Sequence, residues 1–324
     1  MKGTVYKSTG SWYTVKATDG HFYECRIKGK FRMKGIKSTN PIAVGDQVSF
    51  DFEPQAPAQE GVTAPKAQGV IHSITDRKNY IVRKSVNLSK QTHIIATNLD
   101  RVFLMVTLNN PPTLTPFIDR FLVSAEAYGI ETVLLFNKID TYNQEELFEV
   151  KYLEHLYREV GYKCFEISAI TGVNLDQLKA LMKDKVTLFS GHSGVGKSTL
   201  VNAIENGLDL KTAQISLQHM QGQHTTTFAE MYDLSFGGQI IDTPGIKGFG
   251  IVDMEPLEIG NFFPEFFALK QFCKFNNCLH LEEPKCAVKE ALDLDKVSMS
   301  RYKSYVQMLS DEDAHYRQDI HAES

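Results

Sequence analysis

Two hydrophobic rhythms divide the chain. Up to about residue 75, apolar and aromatic positions come in short alternating runs: "GTVYKS", "SWYTVKA", "HFYECRIKG" and "DQVSFDF". Turn signals such as Asp19-Gly20 part them, and this pattern predicts strands. Several strands in so few residues predict a small OB-type barrel. "EPQAPAQEGVTAP" (53–65) lacks periodicity and reads as a loop inserted before a last strand, "GVIHSI". A basic connector follows, with Arg77, Lys78, Arg83, Lys84 and Lys90.

Beyond it the runs "RVFLMVTL", "ETVLLF", "YKCFEIS" and "KVTLFS" are continuously apolar. Between them, "FIDRFLVSAEAYG", "QEELFEVKYLEHLYREVG" and "NLDQLKALMK" repeat apolar positions at helical spacing, with Leu175, Leu178, Leu181 and Met182 on one face. Buried strands alternating with amphipathic helices predict a mostly parallel sheet covered on both faces. Ligands of such sheets sit beyond the carboxyl ends of the strands. "SMSRYKSYVQMLSDEDAHYRQD" predicts a last helix.

At those carboxyl ends lie two motifs. "GHSGVGKS" (191–198) is a phosphate loop between a predicted strand and a predicted helix. Backbone N–H groups of Gly191, His192, Ser193, Gly194, Val195 and Gly196 would cradle phosphates, and Thr199 opens the helix that follows. Lys197 would reach the β- and γ-phosphates, and Ser198 would hold Mg²⁺. "NKID" (137–140) closes another apolar run. Asp140 can accept from guanine N1–H and N2–H₂, a donor pair that adenine lacks. Asn137 supports that reader, and Lys138 would lay its stem along the purine. "ISAITG" offers the Ser168–Ala169 backbone to guanine O6. These motifs predict a GTP/GDP site.

"DTPG" (242–245) follows a turn and a short strand. Asp242 would hold Mg²⁺ through water, and the Gly245 N–H would meet the γ-phosphate. "QGQHTTTFAEM" reads as a switch in which Thr226, or its neighbours Thr225 and Thr227, caps the metal. Ile246 follows DTPG, so no glutamine orients the attacking water. That role falls to His224 or to a partner.

The order is guanine reader, SA loop, phosphate loop, switch, DTPG. The usual order places the phosphate loop first, so this is a circular permutation, tolerated because domain termini commonly lie close together. Cys273, Cys278, His280 and Cys286 form C-x₄-C-x-H-x₅-C, the donor set of a closed, structural zinc site. Cys25 and Cys164 lie in strand-like runs and read as core. The fold class is multidomain α/β: an OB-fold barrel over 1–75, a permuted P-loop GTPase over 76–250, and a zinc-binding helical domain over 251–324.

Composition refines this picture only locally. The 324 residues are 42% hydrophobic and 23% charged, ample for a large core. No apolar run nears the ~18 residues of a membrane span. The N-terminus has no apolar secretory segment, so a cytoplasmic protein with no membrane contact is expected. A net charge of −4 excludes a global field for nucleic acid. Residues 1–37, however, carry Lys2, Lys7, Lys16, Arg26, Lys28, Lys30, Arg32, Lys34 and Lys37 against Asp19 and Glu24. Tyr6, Trp12, Tyr13, Phe22, Tyr23 and Phe31 are interleaved with them, which predicts RNA contact by the barrel. No heptad or apolar stripe suggests an oligomer, so a monomer is expected.

The permuted motif order, "HTTT", the zinc spacing and the "RYKSY" that follows it together resemble the bacterial ribosome small-subunit-dependent GTPase A family (RsgA, also called YjeQ). The likeness spans nearly the whole chain. It implies GTP hydrolysis stimulated by the small ribosomal subunit late in its maturation, with binding to 16S rRNA. The family's water-positioning histidine falls on His224. His192 stands where the family usually has glutamine, and Phe228 where it is often polar. A binding module using GTP as a static clamp is the alternative that Ile246 leaves open. A small-molecule kinase would leave Asn137 and Asp140 unexplained.

Overall fold

The computed structural model describes residues 1–27, 41–53, 68–84, 92–205, 208, 229–242 and 254–310. Five strands open the chain: β1 (Lys2–Ser8), β2 (Tyr13–Ala17), β3 (Phe22–Ile27), β4 (Gln47–Glu53) and β5 (Gln68–Ile74). They pair in the order β1-β2-β3-β5-β4, and β4 pairs back onto β1 to close a barrel. Alternation is the cause: Val5, Tyr13, Val15, Cys25, Phe50 and Ile71 point inward and are fully buried. The basic connector differs from its expected form. It contributes β6 (Tyr80–Lys84), which pairs antiparallel with β7 (Thr92–Thr97). Ile81 and Ala96 are fully buried in the hairpin and join the central core, a burial that the flanking charges mask in the sequence.

The alternating segment follows as β8 (Arg101–Val106), α1 (Thr115–Ala127), β9 (Glu131–Phe136), α2 (Gln144–Glu159), β10 (Lys163–Glu166), α3 (Leu175–Met182), β11 (Val186–Ser190), α4 (Lys197–Ile204), β12 (Glu230–Asp233) and β13 (Gln239–Asp242). Strands β10-β9-β8-β11-β13 are parallel neighbours in that order. β12 adds an antiparallel edge. Two apolar layers flank the sheet: Leu122, Val150 and Tyr157 belong to one, Leu178, Met182 and Leu200 to the other. A tight turn, with Lys185 N–H bonded to Met182 O at 3.1 Å, joins α3 to β11. The chain therefore runs from the SA side of the sheet directly into the strand that feeds the phosphate loop.

β12 also meets the barrel. Lys7 pairs with Glu230 across β1 and β12, so eleven strands form one hydrogen-bonded sheet among the described residues. Tyr6 Oη donates to Asp233 at 2.7 Å, and the Lys16 ammonium reaches Asp233 at 2.6 Å.

The C-terminal region carries α5 (Pro256–Ile259), α6 (Pro264–Lys270), α7 (Ala287–Asp293) and α8 (Met299–Ser310). Its core of Ile259, Phe263, Phe266, Val288, Tyr305 and Met308 includes Val123 from α1. Arg301 of α8 is fully buried. It donates to Asp119 of α1 at 2.8 Å and to both Glu265 oxygens at 2.8 and 3.0 Å. Its guanidinium lies 4.6 Å from the Phe263 ring centre. Tyr157 of α2 donates to the same Asp119 oxygen at 2.9 Å. Burial disfavours the charge on Arg301, but Asp119 and Glu265 more than offset it and hold the side chain protonated.

Candidate nucleotide site and thiol cluster

Because the five central strands are parallel, the loops after β8, β9, β10 and β11 emerge at one edge of the sheet, where β13 also ends. The phosphate loop needs left-handed backbone at Gly191, Gly194 and Gly196, with φ of 140°, 87° and 101°. Space is a second constraint at Gly196: a Cβ there would lie 2.6 Å from Asn137 Nδ2. α4 then begins at Lys197, so its N-terminal N–H groups face the loop's interior. Ser198 and Gly196 are half-buried there, Val195 is buried, and Ser193, Gly194 and Thr199 are exposed.

Asn137 is 2% exposed and fastens three loops together. Its amide donates to Val195 O at 2.8 Å, and its Oδ1 accepts from Ala169 N–H at 3.2 Å. Lys138, left-handed at φ 67°, donates to the carbonyls of Gly194 (at 2.9 Å) and Asn110. Asp140 stands exposed beside them. The Ser168 N–H meets Val173 O at 3.4 Å, and Ala169 N–H serves Asn137. Both groups expected to read guanine O6 are thus engaged within the protein.

Lys197 donates to the carbonyls of Gly191 and His192 at 2.7 and 2.6 Å. Burial pulls its pKa down to about 8, with Asp242 acting in the opposite direction. An anion at the loop would restore the charge, and that coupling is what a phosphate site requires. Asp242 ends β13 on the same edge. The His192 ring lies 3.9 Å from that of Phe117 on α1. Burial, and then Lys197, lower its pKa and favour the neutral ring. His224, Thr226 with its neighbours Thr225 and Thr227, and Gly245 lie outside the described residues.

Three parts of the site carry no motif: Asn110, Pro111 and Tyr142. Asn110 receives Lys138, and Pro111 packs beside Gly194. The prolines of "NNPPT" signal a turn there, but not its destination.

In the C-terminal region Cys273 Sγ, Cys278 Sγ, His280 Nδ1 and Cys286 Sγ all lie within 4.8 Å of one another. His280 Nδ1 is 3.3 Å from Cys286 Sγ and 3.7 Å from Cys273 Sγ. Zinc–sulfur bonds of about 2.3 Å and zinc–nitrogen bonds of about 2.0 Å arranged tetrahedrally require such edges. Backbone supports hold the loop: Tyr302 donates to His280 O at 2.7 Å, Tyr305 to Leu279 O at 2.8 Å, and Glu283 accepts from the Leu279 and Leu281 N–H groups. The donors and their spacing fit zinc.

The barrel's basic, aromatic surface is smaller than its composition suggests. Tyr6 and Tyr13 are buried, while Trp12, Phe22 and Phe52 are exposed. Lys7 and Lys16 are paired to β12. Lys28, Lys30, Phe31, Arg32, Lys34 and Lys37 lie outside the described residues.

Residues 74–252 match the family model for the RsgA GTPase, and residues 2–61 match that for the RsgA N-terminal domain. The chain belongs to the RsgA GTPase family. Among RsgA relatives, a protein of Christiangramia forsetii named small ribosomal subunit biogenesis GTPase RsgA is 67% identical over 98% of this chain and 99% of its own. One of Bacteroides fragilis with the same name is 55% identical over 98% and 99%. The crystal structure of YjeQ from Thermotoga maritima superposes with a TM-score of 0.74 at 36% identity, covering 95% of this chain and 96% of that one. YloQ, described as a circularly permuted GTPase, gives 0.70 at 29% identity over 95% and 93%. The permuted order read from the motifs is therefore that of this RsgA-family fold.

Proposed function

We propose that this chain is a GTPase of small ribosomal subunit biogenesis, binding 16S rRNA and hydrolysing GTP when the subunit stimulates it. The bridge from Asn137 to the phosphate loop carries the reading, because it ties a guanine reader to a phosphate cradle. The family membership and the names of its close relatives support the same conclusion and disfavour a static clamp.

Asp140 selects guanine by accepting from its N1–H and N2–H₂ edge. Gly191 to Gly196 and the start of α4 offer N–H groups to the phosphates, and Lys197 adds charge. Ser198, Asp242 and one of Thr225 to Thr227 would hold Mg²⁺, which neutralises charge on the phosphates when bound. His224 orients the attacking water, and Gly245 senses the γ-phosphate. The thiol cluster holds one structural Zn²⁺. Trp12, Phe22 and Phe52 supply faces on which RNA bases stack. The units are a barrel over 1–75, the GTPase over 76–250 and the zinc domain beyond. The protein works as a monomer in the cytoplasm; no described helix is long and apolar enough to cross a membrane.

GTP turnover measured with and without purified small subunits, with large subunits as the control, tests this reading. Stimulation by small subunits alone is expected. Flat turnover with tight GTP-dependent binding would favour the clamp.

A further inference from the structure

Tyr142 follows the loop of Asn137, Lys138 and Asp140. Its side chain is 8% exposed. The hydroxyl donates to the Asn137 backbone oxygen at 2.9 Å and accepts from the Leu108 N–H at 3.0 Å. It thereby ties the loop after β9 to the loop after β8. Both of those loops brace the phosphate loop, one through Asn137 and Lys138, the other through Asn110 and Pro111. Burial raises the Tyr142 pKa, so the hydroxyl keeps its proton and its donor role. The carbonyl it holds belongs to the peptide entering Lys138, a left-handed non-glycine residue. Such backbone persists only where its surroundings hold it. Asp140 lies two residues beyond that turn.

We propose that Tyr142 is a positioning residue for guanine recognition: its hydroxyl fixes the Asn137–Lys138 peptide and thereby aims the Asp140 carboxylate. This rests on the site being a GTP site. Tyr142→Phe keeps the ring and removes only the hydroxyl. Titrating one sample with GDP and with inosine diphosphate, which lacks the exocyclic amine, reads the aim of Asp140 directly. Any loss in folded fraction cancels from the ratio of the two affinities. Wild type is expected to prefer GDP, and Tyr142→Phe to lose about tenfold of that preference, the scale of one lost hydrogen bond. Val150→Ala, in the same core, should lower Tm and leave the ratio alone. A Tyr142→Phe ratio equal to that of wild type overturns the positioning role, whatever its Tm. A wild-type chain with no preference overturns the guanine reading itself, and the role with it.

Discussion

The thiol cluster and the nucleotide site gather their parts over different distances. All four cluster donors lie within residues 273–286, and the same segment supplies Glu283 to hold its turns. The nucleotide site draws on loops after four strands and on Asp242, and it depends on the parallel sheet to deliver them together. With the proposed zinc bound, the first arrangement would concentrate its stability in one ion and its neighbours. The second spreads it over many hydrogen bonds, each modest, so single losses there change affinity more than folding.

Breaking the local site gives the largest effect. Cys286→Ser removes the most buried thiol of the cluster. Metal content should vanish and residues 254–310 should lose hydrogen-exchange protection, since zinc binding in small modules is worth about 10–16 kcal/mol.

The link between the two regions comes next. Arg301→Met keeps volume but strands Asp119 and Glu265 in the interior, a change that costs about 3–5 kcal/mol. Chemical denaturation should show the loss, and replacing Asp119 and Glu265 by neutral residues as well should recover much of it.

Gly196→Ala probes the distributed site. It forces a Cβ into the Asn137 amide at a φ of 101°. GDP affinity should fall about a hundredfold, the equivalent of roughly 3 kcal/mol, and Tm should fall too, because the strain is present without nucleotide.

The smallest effect is a pH dependence. The folded pKa of Lys197 is lowered from 10.5 to about 8, so between those values the unfolded chain binds a proton that the folded chain lacks. Stability from this group therefore rises with pH across that window. Nucleotide binding runs the other way, because phosphate favours the charged lysine. GDP affinity should decline as pH rises through about 8, by up to about tenfold per pH unit. Lys197→Arg stays charged and should flatten the slope.

This contrast also governs what the sequence reveals. The cluster is legible from spacing alone because its geometry is local. Phosphate loop and NKID are legible because each needs particular residue types for its own chemistry, whereas of DTPG only Asp242 lies among the described residues. Asn110 and Tyr142 are not legible, because their bonds to Lys138, Leu108 and Asn137 use backbone atoms that any residue could present; Pro111 is not, because only the sheet brings its ring beside Gly194. β6 and β7 are hidden by their charged flanks. β12 is hidden because its four residues bury only Met231 deeply. The barrel's lysines mislead for a related reason: composition counts Lys7 and Lys16 as free charge, whereas Glu230 and Asp233 lie more than two hundred positions away.

That the charge partner of Asp119 stands 182 residues downstream bears on synthesis. At roughly 5–20 residues per second, a growing chain presents α1 about 10–40 s before Arg301 is made. For the last part of that interval, once β13 has been made, Asp119 and the apolar Val123 lack their C-terminal partners on a nascent nucleotide domain whose own strands are complete. Ribosomes that stall in the last quarter of the message would therefore release a product with a finished phosphate loop and an uncovered flank, a natural target for chaperones and proteases.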